Sequence, residues 1–157
     1  MGVYIGGTGA GNQLEDYEEG TYTPYLGASG NYGSTGMVLG YTTQYGGYVK
    51  IGHIVVVSVT LQWNSKSGDN SSNNSDLTLT LPFNVGNMNF NGSGTINYND
   101  SIDFNADARG MHIVNSGNIM YFDNVQQGSG KHNGYVGSEN VTSSGTFRIG
   151  LVYMTTA

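Results

Sequence analysis

The stretch Ile54-Val-Val-Val-Ser-Val-Thr-Leu-Gln-Trp63 decides how this chain folds, because alternate side chains of a β-strand point to opposite faces of a sheet. One face is apolar throughout and is predicted to lie in the core: Val55, Val57, Val59, Leu61 and Trp63. The other face begins with Ile54 and Val56 and then turns polar. Its apolar half needs a cover, either a hairpin formed by Tyr41–Ile51 or another subunit.

The segment before this strand is predicted to be that hairpin. Gly46-Gly47 can supply the positive φ angles of a tight turn, with strands over Met37–Tyr45 and Tyr48–Ile51 on either side. Gly52-His53 is predicted to form a second turn, which leads into the long strand.

The last strand, predicted over Thr146–Met154, has the same unbalanced pattern. One face carries large apolar residues, Phe147, Ile149, Leu151 and Tyr153. The opposite face carries Val152 and Met154 and is too apolar for water. We therefore predict that these two residues, together with Ile54 and Val56, lie in an oligomer interface.

Helical periodicity is absent because glycine recurs every few residues, and the rest of the chain also has strand character. Leu77–Leu81 alternates leucine with threonine and is predicted to be half-buried. Further strands are predicted at Thr21–Leu26, Gly94–Tyr98, Met111–Val114 and Asn118–Asp123. Eight or nine short strands in a chain of 157 residues predict an all-β protein, a jelly-roll-like antiparallel β-sandwich.

Composition excludes several functions. The net charge is −6 with only five Lys and Arg, so the basic patch that a nucleic-acid backbone requires is missing. No apolar run is long enough to span a membrane, and the N-terminus lacks the pattern of a signal peptide. We expect no nucleic-acid partner and no membrane insertion. The absence of cysteine argues against a small secreted, disulfide-linked domain.

Two motifs identify a family resemblance. LEDYEEGTYTP spans Leu14–Pro24, and YTTQYGGYVKIG spans Tyr41–Gly52. Together they resemble a module near the C-terminal ends of bacteriophage tail-fibre and other virion structural proteins. There, a DDYEEGTWTP-like segment precedes a GxYxKIGN-like hairpin and a long apolar strand. This chain has Tyr22 where such modules have Trp and His53 where they usually have Asn, and the similarity fades beyond Phe83.

The resemblance implies a trimeric knob at a fibre tip, located in the virion and contacting host-surface glycans. Residues 1–20 would then be an N-terminal arm or junction, and residues 21–157 the knob. Met1 lies close to the junction, so a capsid decoration, a head-fibre protein or an adaptor remains an alternative, as does an engineered fragment. In the adaptor alternative the arm docks on another virion protein through Val3, Tyr4, Ile5, Leu14 and Tyr17.

Ligand-binding candidates come from the twelve tyrosines and the abundant amides. Aromatic rings stack on the apolar faces of sugars while amides bind the hydroxyl groups. Tyrosine equally packs cores and interfaces, so the best candidates are those in the Gly/Asn-rich loops. These are Tyr32, Gln127, His132 and Tyr135, the last three within the long irregular region Asn124–Ser144.

Catalytic and metal motifs are weak. The run Glu15–Glu19 could attract a cation but is read as the junction, and Asp103–Asp107 starts like a calcium loop without its glycine or closing glutamate. No G-x-S-x-G motif occurs, and the three histidines lack metal-ligand spacing. Carboxylate pairs for glycoside cleavage are invisible in a sequence. We predict a non-enzyme without metal or cofactor.

Overall fold

The computed structural model describes residues 3–4, 13–14, 16–28, 36–68, 77–86, 92–104, 117–122 and 136–155. Within these residues the regular structure is β, apart from a short 3₁₀ helix at Ser138–Asn140. The strands are β1 (Val3–Tyr4), β2 (Gln13–Leu14), β3 (Tyr17–Tyr22), β4 (Leu26–Ala28), β5 (Val38–Ile51), β6 (Ile54–Ser67), β7 (Leu77–Thr80), β8 (Ser93–Asn99), β9 (Ile119–Tyr121) and β10 (Gly145–Met154). All their pairings are antiparallel, so the predicted all-β antiparallel class is confirmed.

The largest sheet has five strands in the order β3-β5-β6-β10-β8. Its central hairpin joins β5 and β6, each 14 residues long, through the predicted turn at Gly52-His53. Gly52 has a φ of 57°, which glycine adopts without strain, and Ile51 pairs with Ile54 across the turn. β6 buries the alternate residues that its sequence predicted, from Val55 to Trp63.

The C-terminal strand β10 completes the core face of this sheet. It pairs with β6 along its whole length, from Gly145 opposite Trp63 to Met154 opposite Ile54. This register aligns the inner residues of both strands, and the predicted core side of β10 is buried: Phe147, Ile149, Leu151 and Tyr153.

A second sheet of three strands, in the order β4-β7-β9, shares one hydrophobic core with the large sheet. It contributes four completely or nearly completely buried side chains, Leu26, Leu77, Leu79 and Met120. Tyrosines of the large sheet also reach backbone carbonyls next to the small one. Tyr22 Oη donates to Thr80 O over 3.3 Å, and Tyr153 Oη donates to Phe83 O over 3.1 Å.

The predicted turn at Gly46-Gly47 is wrong. Both glycines lie inside β5, whose backbone pairs on one side with β3 and on the other with β6. The role of Gly46, and of Gly20 on β3, follows from the tyrosines opposite them. Tyr22 faces Gly46 and Tyr48 faces Gly20, so each ring lies over a residue without a Cβ. A Cβ on Gly46 would collide with the Tyr22 ring, and one on Gly20 would lie 2.7 Å from Tyr48 Oη. The glycines provide close approach instead of a turn.

Other strand predictions need smaller corrections. The strand predicted over Thr21–Leu26 is two strands in different sheets, with Pro24 between them. In β7 the predicted polar face is not open to solvent, because Thr78 is fully buried. The strand predicted over Met111–Val114 lies outside the described residues.

Part of the long irregular region packs against the large sheet. Of Asn124–Ser144, the described part begins at Val136, which is buried. Lys66 Nζ on β6 donates to Ser138 O over 2.9 Å and to Val141 O over 2.6 Å. These two bonds fix the segment on the sheet, in addition to the bond that Ser138 O accepts from Val141 N–H over 3.1 Å.

Candidate functional site

The outer face of the five-stranded sheet, which points away from the core, is built from cross-strand rows of side chains. The first row beside the Gly52 turn contains Tyr17, Ile51, Ile54 and Met154, each paired with the next. Ile54 is 49% exposed, and Ile51 and Tyr17 are exposed as well. An apolar row on a solvent-facing sheet surface follows directly from the β6 and β10 sequence patterns.

The second row continues this surface. Glu19, Val49, Val56, Val152 and Ser93 are paired in that order across all five strands. Val56 is 48% exposed and Val152 is 40% exposed. We call the apolar residues of the two rows the apolar patch: Tyr17, Val49, Ile51, Ile54, Val56, Val152 and Met154.

The four residues predicted to form an interface therefore lie side by side. Ile54 pairs with Met154, and Val56 pairs with Val152. Of the two alternative covers for Ile54 and Val56, the Tyr41–Ile51 segment is ruled out, because β5 lies beside β6 in the same sheet. Among the residues that the structure describes, nothing covers the patch.

The third row is made of small residues. Thr21, Gly47, Ser58, Gly150 and Thr95 are paired across the sheet. Because these side chains are short, the surface sinks between the second and fourth rows. At the β3–β5–β6 side this forms a depression of about 580 Å³. We call it the outer depression; its lining includes Glu19, Thr21, Tyr45, Gly47, Val56 and Ser58.

The fourth row closes the outer depression with an aromatic side chain. Tyr45 is 53% exposed, and its side chain leans towards Gly47, where a Cβ would lie 3.5 Å from Tyr45 Oη. Further along the same row, Arg148 lies over the Tyr98 ring, with its Cζ 5.5 Å from the ring centroid. Opposite charges, Glu19 and Arg148, thus occupy different strands and different rows of the outer face.

The acidic motif distributes its carboxylates among separate partners. Glu19 Oε2 accepts a hydrogen bond from Tyr17 Oη at 2.6 Å, and this bond raises the pKa of Tyr17. On the inner side, Glu18 Oε1 accepts one from Tyr48 Oη at 2.7 Å and raises the pKa of Tyr48.

The remaining described acid of this motif forms an ion pair. Asp16 Oδ1 lies 2.7 Å from the Nζ of Lys50, a largely buried residue. Each described acid of the motif therefore binds a group of this chain. In the described segments as a whole, no three acids or histidines are grouped to hold a metal ion.

His53 has a structural contact in the turn between β5 and β6. Its Nδ1 lies 3.0 Å from Thr155 O, which links the turn to the end of β10. The other two histidines, His112 and His132, lie outside the described residues. The expectation that the protein is not an enzyme stays a prediction.

The residues predicted to bind ligand, Tyr32, Gln127, His132 and Tyr135, lie outside the described residues. The predicted arm is described only in part: Val3 and Tyr4 form β1, which pairs with β2 containing Leu14, and Ile5 is outside. Tyr17 belongs to the large sheet.

Sequence reasoning missed the outer depression because Gly46-Gly47 was interpreted as a turn. A continuous strand would have placed Tyr45, Gly47, Val49 and Ile51 on one face, with a glycine next to an exposed aromatic residue.

No helix among the described residues has the length and apolarity to cross a bilayer. Comparisons with protein-family models, with curated proteins and with solved structures find no match for this chain.

Proposed function

We propose that this chain is a bacteriophage virion structural protein: a trimeric, jelly-roll-like β-sandwich knob at a tail-fibre tip that contacts host-surface glycans. The resemblance of Leu14–Pro24 and Tyr41–Gly52 to fibre modules supplies the context. The observation that carries the proposal is the apolar patch, since Ile54 and Val56 are about half exposed on a sheet surface.

A patch of this kind favours assembly. Burying apolar surface is favourable by roughly 25 cal/mol per Å², and contiguous exposed apolar patches commonly mark interaction sites. If this face contacted only bulk water, the apolar side chains of Ile54, Val56 and Val152 would gain nothing from burial. A polar residue at these positions would serve a monomer better.

The occupant we propose is a second copy of the same chain. In a cyclic trimer each interface joins two different surfaces of the subunit. Arg148 lies on the outer face outside the apolar patch and outside the β3–β5–β6 side, so it can meet an acidic side chain of the next copy. The net charge of −6 would otherwise keep copies apart.

A second candidate is a capsid decoration, a head-fibre protein or an adaptor held by its N-terminal arm. One observation favours it: within the described residues, β1 pairs only with β2 and has no strand pairing with either larger sheet. A separate ribbon containing Val3, Tyr4 and Leu14 is suited to docking on another virion protein. Tyr17, the fourth docking candidate that the structure describes, is instead part of the patch.

Native mass spectrometry and light scattering on the purified chain test the assembly. We expect a mass three times the 16.7 kDa of one chain. Val56→Asp should dissociate the trimer, because it places a charge within the apolar patch. Gln62→Asp adds the same charge to an exposed outer position of the same strand, beyond the patch, and should leave the trimer intact. A wild-type monomer at micromolar concentration would refute the proposed trimer.

Antibody labelling of particles by electron microscopy tests the location. Label at fibre tips supports the knob, and label distributed over the capsid supports decoration. If the purified protein degraded host polysaccharide, the proposal that it is not an enzyme would fail.

A further inference from the structure

Assembly of the chain into a trimer does not account for the residues that line the outer depression. The outer depression lies beside the apolar patch, shares Val49 and Val56 with it, and extends away towards Tyr45. Its lining combines one exposed aromatic ring, a glycine floor, hydroxyl groups and one carboxylate. A surface that served only to pack against protein would not need this combination.

Tyr45 provides a stacking surface. About half of its surface is exposed, and its ring stands beside a floor where Gly47 and Ser58 are paired. The apolar C–H face of a pyranose ring stacks on such aromatic rings. Because Gly47 has no side chain, a ring-sized ligand has room beside the tyrosine.

Polar groups lie around the same space. Thr21 and Ser58 are both exposed and each carries a hydroxyl that can donate and accept hydrogen bonds. Glu19 is placed by the bond from Tyr17 Oη to its Oε2. An ionised carboxylate has about four acceptor sites, so this one bond leaves capacity to accept from sugar hydroxyls.

The Glu19 carboxylate disfavours the binding of acidic ligands. In the described lining, Glu19 is the only charged side chain, and the whole chain carries a net charge of −6. A ligand with a carboxylate would meet a like charge at short range, whereas a neutral sugar would not.

We propose that the outer depression binds a neutral pyranose, with Tyr45 as the stacking surface and Glu19 as the hydroxyl acceptor that excludes acidic sugars. This inference deepens the proposed function, since it names the ligand class that a host-contacting knob would recognise and places the site on the sheet. Single-site affinity would be weak and would be compensated by the number of copies.

Saturation-transfer NMR on the purified 157-residue chain, in its assembled form, tests the site. The probes are the methyl pyranosides of glucose, galactose, mannose and N-acetylglucosamine. Methyl glucuronide and galacturonide serve as matched acidic probes, because each differs from its neutral counterpart by the carboxylate. We expect the methyl glucoside or the methyl galactoside to bind and the matching uronide to bind at least tenfold more weakly.

Variants then assign the contacts. Tyr45→Ala should weaken the neutral sugar by about tenfold, the effect of losing one stacking interaction. Tyr98→Ala is the matched control: it removes a similarly exposed tyrosine from the same row, outside the outer depression, and should leave binding unchanged. Glu19→Gln should reduce the discrimination against the acidic probes.

Gly47→Ala provides a variant that fills the floor without strain. Its new Cβ would make only ordinary contacts, the nearest at 3.5 Å from Tyr45 Oη, so the fold is expected to remain intact while sugar binding weakens.

Several results would overturn the site. These are no binding by any neutral probe, equal binding of neutral and acidic probes, or binding by Tyr45→Ala at the wild-type level. The site and the proposed function fail in different experiments. Label at fibre tips together with unaltered sugar binding by Tyr45→Ala would overturn the site alone. Sugar binding that depends on Tyr45, in a protein absent from the virion, would overturn the function alone.

Discussion

The two adjacent glycines of β5 should respond in opposite ways to the same substitution. Gly46 faces the core side of the sheet, where the Tyr22 ring covers it, and Gly47 faces outward. In Gly46→Ala the new methyl group collides with the Tyr22 ring, at its Cε1, Cδ1 and Cζ atoms. The ring cannot move freely, because it is largely buried and its Oη donates to Thr80 O.

The expected magnitude follows from three contributions. Overpacking around a buried ring costs about 1–3 kcal/mol. Weakening of the 3.3 Å bond from Tyr22 to Thr80 adds roughly 0.5–1 kcal/mol. Alanine is better than glycine inside a strand by about 0.5–1 kcal/mol. Gly46→Ala should therefore destabilise by about 2 kcal/mol. Gly47→Ala, whose Cβ meets nothing closer than 3.5 Å, should be neutral or stabilising by up to about 0.5–1 kcal/mol.

Urea unfolding followed by the fluorescence of the single tryptophan, Trp63, measures both changes. This residue is buried, and its Nε1 donates to Thr142 O over 3.0 Å, so unfolding changes its surroundings completely. All variants are compared at one protein concentration, because assembly shifts apparent stability. Tyr22→Leu combined with Gly46→Ala should show a smaller penalty for the alanine than the single change does. Equal effects of Gly46→Ala and Gly47→Ala would refute the explanation of the glycine pair.

Two further predictions concern buried polar groups. Burial raises the pKa of Tyr41 from its ordinary 10.0 to about 12. The neutral Tyr41 side chain therefore makes its full contribution to the free energy of unfolding below pH 10, and this contribution is lost as the pH rises from 10 to 12. Tyr41→Phe should lower the free energy of unfolding by about 1 kcal/mol at pH 7, because the Leu26 N–H loses its 2.9 Å acceptor. In urea titrations above pH 10, the stability of this variant should fall less steeply with pH than that of the wild type. Parallel pH curves for the two proteins would contradict this. Lys66→Met removes the donor to Ser138 O and Val141 O and should cost about 1–2 kcal/mol. Hydrogen exchange should accelerate at Ser138–Val141 while β5 and β6 stay protected, and unchanged exchange there would show that the ammonium does not fix this segment.

The strands whose burial is decided by local alternation could be predicted from sequence. β6 and β10 place their apolar residues on the expected faces, since one residue of slip would turn every side chain over. The turn at Gly52 was predictable for a similar reason, because it separates two strands with strong patterns. The grouping of Ile54, Val56, Val152 and Met154 also followed from these two patterns.

Features that depend on distant partners could not be predicted in this way. Gly46-Gly47 has the composition of a turn, and only the pairing with β3 shows that Gly46 makes room for Tyr22, as Gly20 does for Tyr48. The outer depression could not be predicted for the same reason, because it forms where β3, β5 and β6 pair. The break of the predicted strand Thr21–Leu26 at Pro24 likewise depends on pairing with β7, far along the chain.

The position of β10 has a consequence for biosynthesis. The hairpin β5–β6 can form early, but the free side of β6 finds its partner only after the ribosome has passed Met154. Until then Val55, Val57 and Val59 have only part of their cover, and an unpaired strand edge is open to other nascent chains. Completion of this fold therefore waits until β10 has been synthesised, and its yield in a cell should depend on chaperones that shield the waiting hairpin.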